Sequence, residues 1–188
     1  MNMGIRLIPQ RSKQMQDRYA TADDFRKLFA EDMTSLHLLA FLLTGSYETA
    51  EQCFVSGIED CAQGSSVFQQ WARSWARRVI IQNAVRMIAP HPHFRDELIP
   101  ESPSAVVRNE RKLDQDAAWA GVLALENFER FVFVISVLEG YGDQECAALL
   151  GCAVLEVGQA RMRASQQIAD FGRTSIQSVN ELSRMAVG

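Results

Sequence analysis

Apolar residues recur three and four positions apart along most of this chain, which is the spacing of one face of an α-helix. The first such segment begins with a capping-box pattern at Thr21 and Asp24, and it runs to about Leu43, just before Gly45. Its apolar positions are Phe25, Leu28, Phe29, Leu36, Leu39, Ala40 and Leu43. Because the helical period continues without a break, the pattern predicts one helix over this whole segment.

Two more helices follow in the N-terminal part of the chain. Ser46 stands at the N-cap position of a segment that extends to about Cys61, and Gly64-Ser65-Ser66 breaks the pattern after it. A third helix is predicted from about Val67 to Ile88. The apolar positions of these two helices include Ala50, Cys53, Phe54, Ile58, Phe68, Trp71, Trp75, Val79 and Ile80. Together with the first segment they predict a block of three helices.

The character of the chain changes at Pro90. Four of the five prolines lie between Pro90 and Pro103, where neither a helix nor a central strand is tolerated. A second helical block starts near Asp116, and Gly172 is expected to interrupt it. No strand-like alternation is present, so we predict an all-α fold with two small helical domains on a proline-rich linker. The predicted parts are a flexible N-terminus (1–22), a first domain (23–88), a linker (89–116), a second domain (117–171) and a tail able to form a helix (172–188).

The most informative segment is Tyr141 to Ala164, which reads as two short helices joined by a tight turn. Asp143 is predicted to cap the first helix, and Gly151 to end it in the left-handed conformation that glycine adopts most easily. The second helix carries Val154, Val157, Ala160, Ala164 and Ile168 at helical spacing, with Gln159, Arg161 and Arg163 among its polar positions. In a DNA-binding helix-turn-helix, the second helix enters the major groove. An ordinary helical hairpin has the same pattern, and both interpretations remain open.

A second candidate nucleic-acid surface lies on the third predicted helix. Helical geometry places Trp71 and Trp75 on one broad side, near a set of basic side chains. Aromatic rings stack on unpaired bases and guanidinium groups neutralise phosphate, so this combination suits single-stranded nucleic acid. The basic residues are Arg73, Arg77, Arg78 and Arg86. The tryptophans are interpreted first as core anchors, and the arginines either solvate the outer face or bind nucleic acid.

The charge balance bears on these candidates. The 188 residues carry a net charge of −4, with 11 basic and 11 acidic side chains in residues 1–100 and 8 and 12 in residues 101–188. Non-specific DNA affinity depends on the number of phosphates that are neutralised, so the acidic second half predicts weak DNA binding without a partner. The apolar content of 47% is that of a folded protein.

Other chemistry finds little support in the sequence. The four cysteines lack zinc-site spacing and are expected to be buried free thiols: Cys53, Cys61, Cys146 and Cys152. The three histidines are scattered, and no nucleophile triad or phosphate loop is recognisable, so we expect neither an enzyme nor a cofactor. No apolar run is long enough to span a membrane and no signal-peptide pattern is present, so a cytoplasmic protein without membrane insertion is expected.

The order of these parts resembles that of the extracytoplasmic-function sigma factors, the small bacterial subunits that bring RNA polymerase to promoters. Leu138-Glu139-Gly140-Tyr141 is similar to the family's L-x-E-G-[YF]-S turn, and the segment from Glu145 to Gly151 resembles its E-I-A-x-L-L-G motif. The segment from Leu125 to Phe133 resembles its L-x-x-L-P-x-x-x-R-x-V-F helix more loosely. In that family this block, called region four, reads the minus-thirty-five element.

The N-terminal block resembles region two of the same family, which binds core polymerase and melts the minus-ten element. Phe68-Gln69-Gln70-Trp71-Ala72 with Ala76-Arg77 is similar to F-x-x-W-L…I-A-R-N, and Ala50-Glu51 opens as the A-E-D-x-x-Q-E helix does. The resemblance implies polymerase-binding positions at Glu51, Gln52 and Val55, and DNA-binding residues at Arg73, Arg77, Arg78, Arg86, Gln159, Arg161 and Arg163. It also implies core RNA polymerase and promoter DNA as partners, with an anti-sigma factor as a further one.

The chain departs from the family at several of these positions. Gln52 and Val55 replace the Asp and Gln that contact the polymerase clamp, and Gly158 and Ala160 replace two cations of the DNA-reading helix. Three hypotheses follow. The first is a sigma-like transcription initiation factor, and the second is a degenerate sigma-fold interaction protein, such as an anti-sigma decoy, without full promoter recognition. The third is a dimeric regulator that reads an operator through the helix-turn-helix alone.

Overall fold

Helices make up nearly all the regular structure in the computed structural model, which describes residues 19–63, 66–92 and 119–185, with side chains as far as Arg173. These ranges contain no strand; one isolated antiparallel bridge joins Tyr19 to Phe68. The predicted all-α fold class is therefore confirmed. The predicted flexible N-terminus and linker lie mostly outside the described residues.

The first predicted helix is in fact two helices, α1 (Ala22–Glu31) and α2 (Met33–Thr44). The capping box is confirmed, because the Thr21 N–H donates to Asp24 over 2.8 Å and the Asp24 N–H donates to the Thr21 hydroxyl over 3.2 Å. The prediction of one helix is wrong at Asp32, where φ −99° and ψ 14° turn the chain. Both helices bury their apolar sides in the same core, so the three-and-four spacing continues across the bend and hides it in the sequence.

Helix α3 (Tyr47–Ala62) agrees with its prediction at both ends. Gly45 ends α2 with φ 70°, and the Ser46 hydroxyl accepts from the Thr49 N–H over 3.5 Å at the start of α3. Left-handed backbone at Gly45 carries little steric cost because glycine has no Cβ. Local backbone chemistry thus determines this junction.

Helix α4 (Ala72–Ile88) begins later than predicted, after a 3₁₀ turn at Gln69–Trp71. Phe68 is extended (φ −63°, ψ 141°), and the Ala20 N–H donates to the Val67 carbonyl over 2.7 Å. These residues bridge to the segment before α1 and so cannot start a helix. The N-terminal block, residues 19–92, therefore has four α-helices in its described part instead of the predicted three.

The C-terminal block, residues 119–185, consists of helices without a strand in the part described. A helical segment at 119–123 precedes α5 (Asn127–Phe133), which continues as a π-helical turn at Val134–Leu138. Two helices then follow, α6 (Asp143–Leu150) and α7 (Val154–Met185). The predicted interruption at Gly172 is wrong, because one glycine costs a helix only about 1 kcal/mol relative to alanine. Helix α7 instead continues through Gly172 to Met185.

One hydrophobic core runs through both blocks. It includes Phe25 and Phe29 of α1 and Phe128 and Phe131 of α5, each at most 1% exposed. The end of α2 lies between the blocks, because it packs against α3 and α4 on one side and against α5 on the other. This position explains why every residue from Leu39 to Thr44 is buried. Such all-round burial requires a helix with apolar residues on every side, which the sequence of α2 provides.

Candidate nucleic-acid interface

The tight turn between α6 and α7 is built largely as predicted. Gly151 ends α6 with φ 66°, and the Cys152 N–H donates to the Ala147 carbonyl over 3.1 Å. The predicted cap is wrong, because the N-cap residue is Gly142 and Asp143 is the first residue of the helix. Glu145 reaches back instead and accepts from the Gly142 N–H over 3.2 Å. The carboxylate of Asp143 is thereby left for a different contact.

The outward face of α7, which would enter a groove, is uncharged over its first four turns. Leu155 and Met162 are each 72% exposed, and Gln159 is exposed between them. Gly158 lies on the same face, and a Cβ there would meet nothing within 4 Å. Val157, Ala160 and Ala164 point the other way, into the core. Glutamine can read adenine, and apolar side chains can contact the thymine methyl group, but this face offers no cation to phosphate.

The two arginines predicted to bind DNA from α7 make ion pairs within the C-terminal block. Arg161 pairs with Asp143, with one hydrogen bond of 3.1 Å from Nη2 to Oδ2. Arg163 donates from Nε and Nη2 to Oε1 of Glu129 over 3.0 and 2.7 Å. The Glu129 side chain is only 8% exposed, and its Oε2 is buried without a hydrogen-bond partner. These contacts hold α7 against α6 and α5.

The predicted surface on α4 is also engaged with acidic groups. Arg73 lies 2.9 Å from Asp32 at the bend between α1 and α2, and Arg86 lies 2.6 Å from Asp60 on α3. Trp71 is 57% exposed, so its interpretation as a core anchor is wrong, whereas Trp75 is half-buried. The exposed indole lies two positions along the chain from Arg73, and its ring contacts that of Phe68 edge to face.

Arg77 connects the two blocks. Its Nε donates to Oε2 of Glu139 over 2.5 Å, its Nη2 donates to Oε1, and its Nη1 donates to the Ser35 hydroxyl over 2.9 Å. The hydrogen bonds to Glu139 raise the pKa of Arg77. Arg78 hydrogen-bonds Tyr141, whose pKa is raised by burial and lowered in part by this guanidinium. A shallow cleft of about 360 Å³ opens here, lined by Ser74, Arg77, Leu138, Glu139 and Tyr141.

The three predicted polymerase-binding positions share an exposed side of α3. Glu51 and Gln52 are exposed, and Val55 is 47% exposed. Glu51 and Gln52 each lie about one turn from Val55, so a single partner surface can contact all three. This side of α3 is therefore open to a partner.

Sequence reasoning missed three residues that matter for this interface: Glu129, Arg130 and Glu139. Glu129 and Glu139 accept from arginines that lie 34 and 62 positions away in the chain. Arg130 is buried at 7% exposure and donates to the Leu43 carbonyl of α2. The signal in the sequence was a charged residue inside or next to an apolar helix. Such a charge is buried with its helix, and a buried charge normally requires a partner.

The thiols are not arranged for catalysis or for metal binding in the part of the chain described. Cys53, Cys61 and Cys146 are buried, Cys152 is half-buried, and all four are free, as expected. Burial raises the pKa of the three buried thiols to about 12. No cluster of His, Cys, Asp or Glu suited to a metal ion occurs among the described residues. Nor is any described helix both long and apolar enough to cross a membrane.

Comparison with known proteins gives a likeness in structure at low sequence identity. No protein-family model matches the chain, and no curated protein matches it. The chain is similar to a co-crystal structure of the sigma factor RpoE in complex with the anti-sigma factor NepR from Bartonella quintana. The two share 16% sequence identity over 80% of this chain and 97% of that one, with a TM-score of 0.48.

Proposed function

We propose that this protein is a sigma-like transcription initiation factor. The N-terminal block would bind core RNA polymerase and the minus-ten element, and the C-terminal block would bind the minus-thirty-five element. The observation that carries the proposal is the α6–α7 unit, in which Gly151 forms a left-handed turn and α7 presents an exposed outward face. The similarity of Leu138-Glu139-Gly140-Tyr141 and of the Glu145–Gly151 segment to the family motifs supports it.

The contacts of the N-terminal block add support. Trp71 is exposed on the short turn before α4, close along the chain to Arg73. The surface of α3 with Glu51, Gln52 and Val55 is open to solvent at the other candidate site. One surface would therefore serve unpaired bases and another would serve a protein partner. The internal ion pairs of the arginines imply that DNA binding requires rearrangement, or depends on polymerase for most of its affinity.

The test is binding and transcription with purified core RNA polymerase. Tagged protein should retain core enzyme, and the mixture should produce discrete transcripts from a library of promoter fragments. Trp71→Ala should reduce transcription from linear templates more than it reduces core binding, since its indole is assigned to unpaired bases. If the protein neither retains core enzyme nor supports transcription, the proposal fails.

A second candidate function is favoured by one specific observation. The outward face of the first four turns of α7 carries no charge, and both neighbouring arginines are paired within the protein. Such a face suits a protein partner better than phosphate, as expected for a sigma-fold protein that binds an anti-sigma factor without reading promoters. The fully buried Ala160 has no space for the cation that the family carries there, whereas Gly158 has open space around it.

Two gain-of-function variants distinguish these candidates. If the polymerase contacts have been lost, Gln52→Asp with Val55→Gln should increase retention of core enzyme sharply. If α7 still reaches DNA, Gly158→Lys should tighten promoter binding and increase its salt dependence, because one more phosphate is neutralised. Core binding without transcripts, unchanged by Gly158→Lys, would favour the interaction protein over the initiation factor.

A further inference from the structure

The two blocks meet along a seam with an apolar part and a polar part. The apolar part is the buried end of α2 against α5 and the π-helical turn. The polar part is the contact of α4 with Glu139, which directly follows that turn. The apolar part is costly to open, because its buried side chains would become exposed to water. The polar part opens more readily, because the arginine and the carboxylate of an ion pair can each bind another charged group or water.

Arg130 belongs to the permanent part of the seam. Its Nε and Nη2 each lie 3.3 Å from the Leu43 carbonyl, and Nη2 also donates to Asn127 over 2.7 Å. Leu43 is in the last turn of α2, where carbonyls lack helical partners and carry the negative end of the helix dipole. No carboxylate forms an ion pair with Arg130 among the described residues. Helix α2 itself is therefore the counter-charge that holds this buried cation.

The Arg77–Glu139 pair is the exchangeable part. Glu139 is 9% exposed and gives both carboxylate oxygens to Arg77, whereas the Arg77 side chain remains 30% exposed. The Nε and Nη2 donors form one edge of the guanidinium, and while that edge is paired with Glu139 it cannot give the same two donors to a phosphate. Arg77 is also one of the residues assigned to nucleic acid on α4. Its pairing with Glu139 therefore excludes a bidentate pairing of the same Nε and Nη2 edge with phosphate.

We infer that Glu139 is a built-in competitor for nucleic acid, which holds the seam closed by occupying Arg77 until a phosphate backbone displaces it. This inference rests on the proposed function, because it takes Arg77 to be a nucleic-acid contact. Only molecules in which Arg77 is free of Glu139 can bind a phosphate with it. The apparent affinity for DNA is therefore the intrinsic affinity multiplied by the fraction of such molecules. The C-terminal block thus restrains the N-terminal block without any second protein.

The first experiment measures closure without DNA or polymerase. Glu139→Gln keeps the shape of the side chain and removes its charge, and amide hydrogen exchange is followed around Ser74 to Arg78 and in the second half of α2. We expect exchange around Ser74 to Arg78 to accelerate about tenfold, whereas exchange in α2, which belongs to the permanent part of the seam, should stay unchanged. Glu126→Gln is the matched control, because it removes the same charge from an exposed N-cap that makes no side-chain cap hydrogen bond. Equal exchange in both variants would overturn the inference and leave the proposed function untouched.

The second experiment measures competition, using a fluorescein-labelled single-stranded oligonucleotide with core RNA polymerase present. Glu139→Gln should bind it about tenfold more tightly than the unmodified protein, and adding Arg77→Gln should abolish that gain. A gain that survives Arg77→Gln, or no gain at all despite measurable binding, would overturn the competitor role alone. If no form of the protein binds polymerase or the oligonucleotide, the proposed function and the competitor role fail together, whatever hydrogen exchange reports about closure.

Discussion

Replacing Arg163 with glutamine should destabilise the protein, although Arg163 lies on the helix predicted to read DNA. The substitution leaves Glu129 with an 8% exposed side chain and no cation. Glu129 Oε2 is already buried without a partner, so both hydrogen bonds to this carboxylate come from Arg163 at Oε1. The structure therefore assigns Arg163 a role inside the C-terminal block.

The expected cost lies between two limits. Breaking a fully buried ion pair costs about 3–5 kcal/mol, and exposed pairs contribute about 0–1 kcal/mol. Arg163 is 46% exposed, so water screens part of the interaction, and we expect a cost of about 1–3 kcal/mol. Glu129→Gln should cost less, because the arginine left behind remains in contact with water. The double variant should recover at least about 1 kcal/mol relative to the sum of the single variants.

Urea unfolding followed by circular dichroism at 25 °C provides the measurement, with unchanged m-values as the check on two-state behaviour. Arg173→Gln is the matched control on the same helix, because Arg173 and its partner Asp170 are 67% and 59% exposed. It should change stability by less than about 0.5 kcal/mol. Equal stability of the Arg163 and Arg173 variants would refute the structural role and return Arg163 to the candidate DNA contacts.

Three further predictions test other parts of the fold. Gly45→Ala should destabilise the protein more than Gly151→Ala in the same unfolding assay. Both glycines have φ near 70°, but only a methyl group at position 45 would approach Arg130, at 3.3 Å from Nη2. Equal losses of stability would contradict that contact. Gly158→Ala should stabilise α7 by up to about 1 kcal/mol, because nothing obstructs the methyl group; a loss of stability would mean that this face is covered. At pH 8, iodoacetamide should modify Cys152 before the other three cysteines, as followed by peptide mass mapping. The three buried thiols have a pKa of about 12 and so hold almost no thiolate at this pH. Earlier modification of any of them would contradict their burial.

Features fixed by neighbouring residues were predictable from the sequence. The Thr21–Asp24 capping box, the left-handed turns at Gly45 and Gly151 and the Ser46 cap each depend on backbone groups within four positions. Their chemistry is local, so the residue types suffice to predict it. The all-α fold class followed for the same reason, because the helical period is repeated in every long segment.

Predictions failed where a local pattern allowed two outcomes. The spacing of apolar residues is the same whether α1 and α2 form one helix or bend at Asp32, since both halves face one core. Phe68 fits a helical pattern, but its bridge to Tyr19 holds it extended. Asp143 is a good N-cap residue by type, yet its carboxylate pairs with Arg161 from the next helix. In each case a contact from elsewhere in the fold selected the outcome.

By itself, the sequence determined that this protein is helical, where most helices end, and which side chains are candidates for nucleic acid. Only the tertiary structure decided what those side chains contact. Arg77 and Arg163 pair with carboxylates that lie 62 and 34 positions away in the chain, and Arg130 is held by the end of α2. The physical reason is that a charge forms its pair with whichever opposite group the folded core brings within about 3 Å, and no periodicity in the chain encodes that distance.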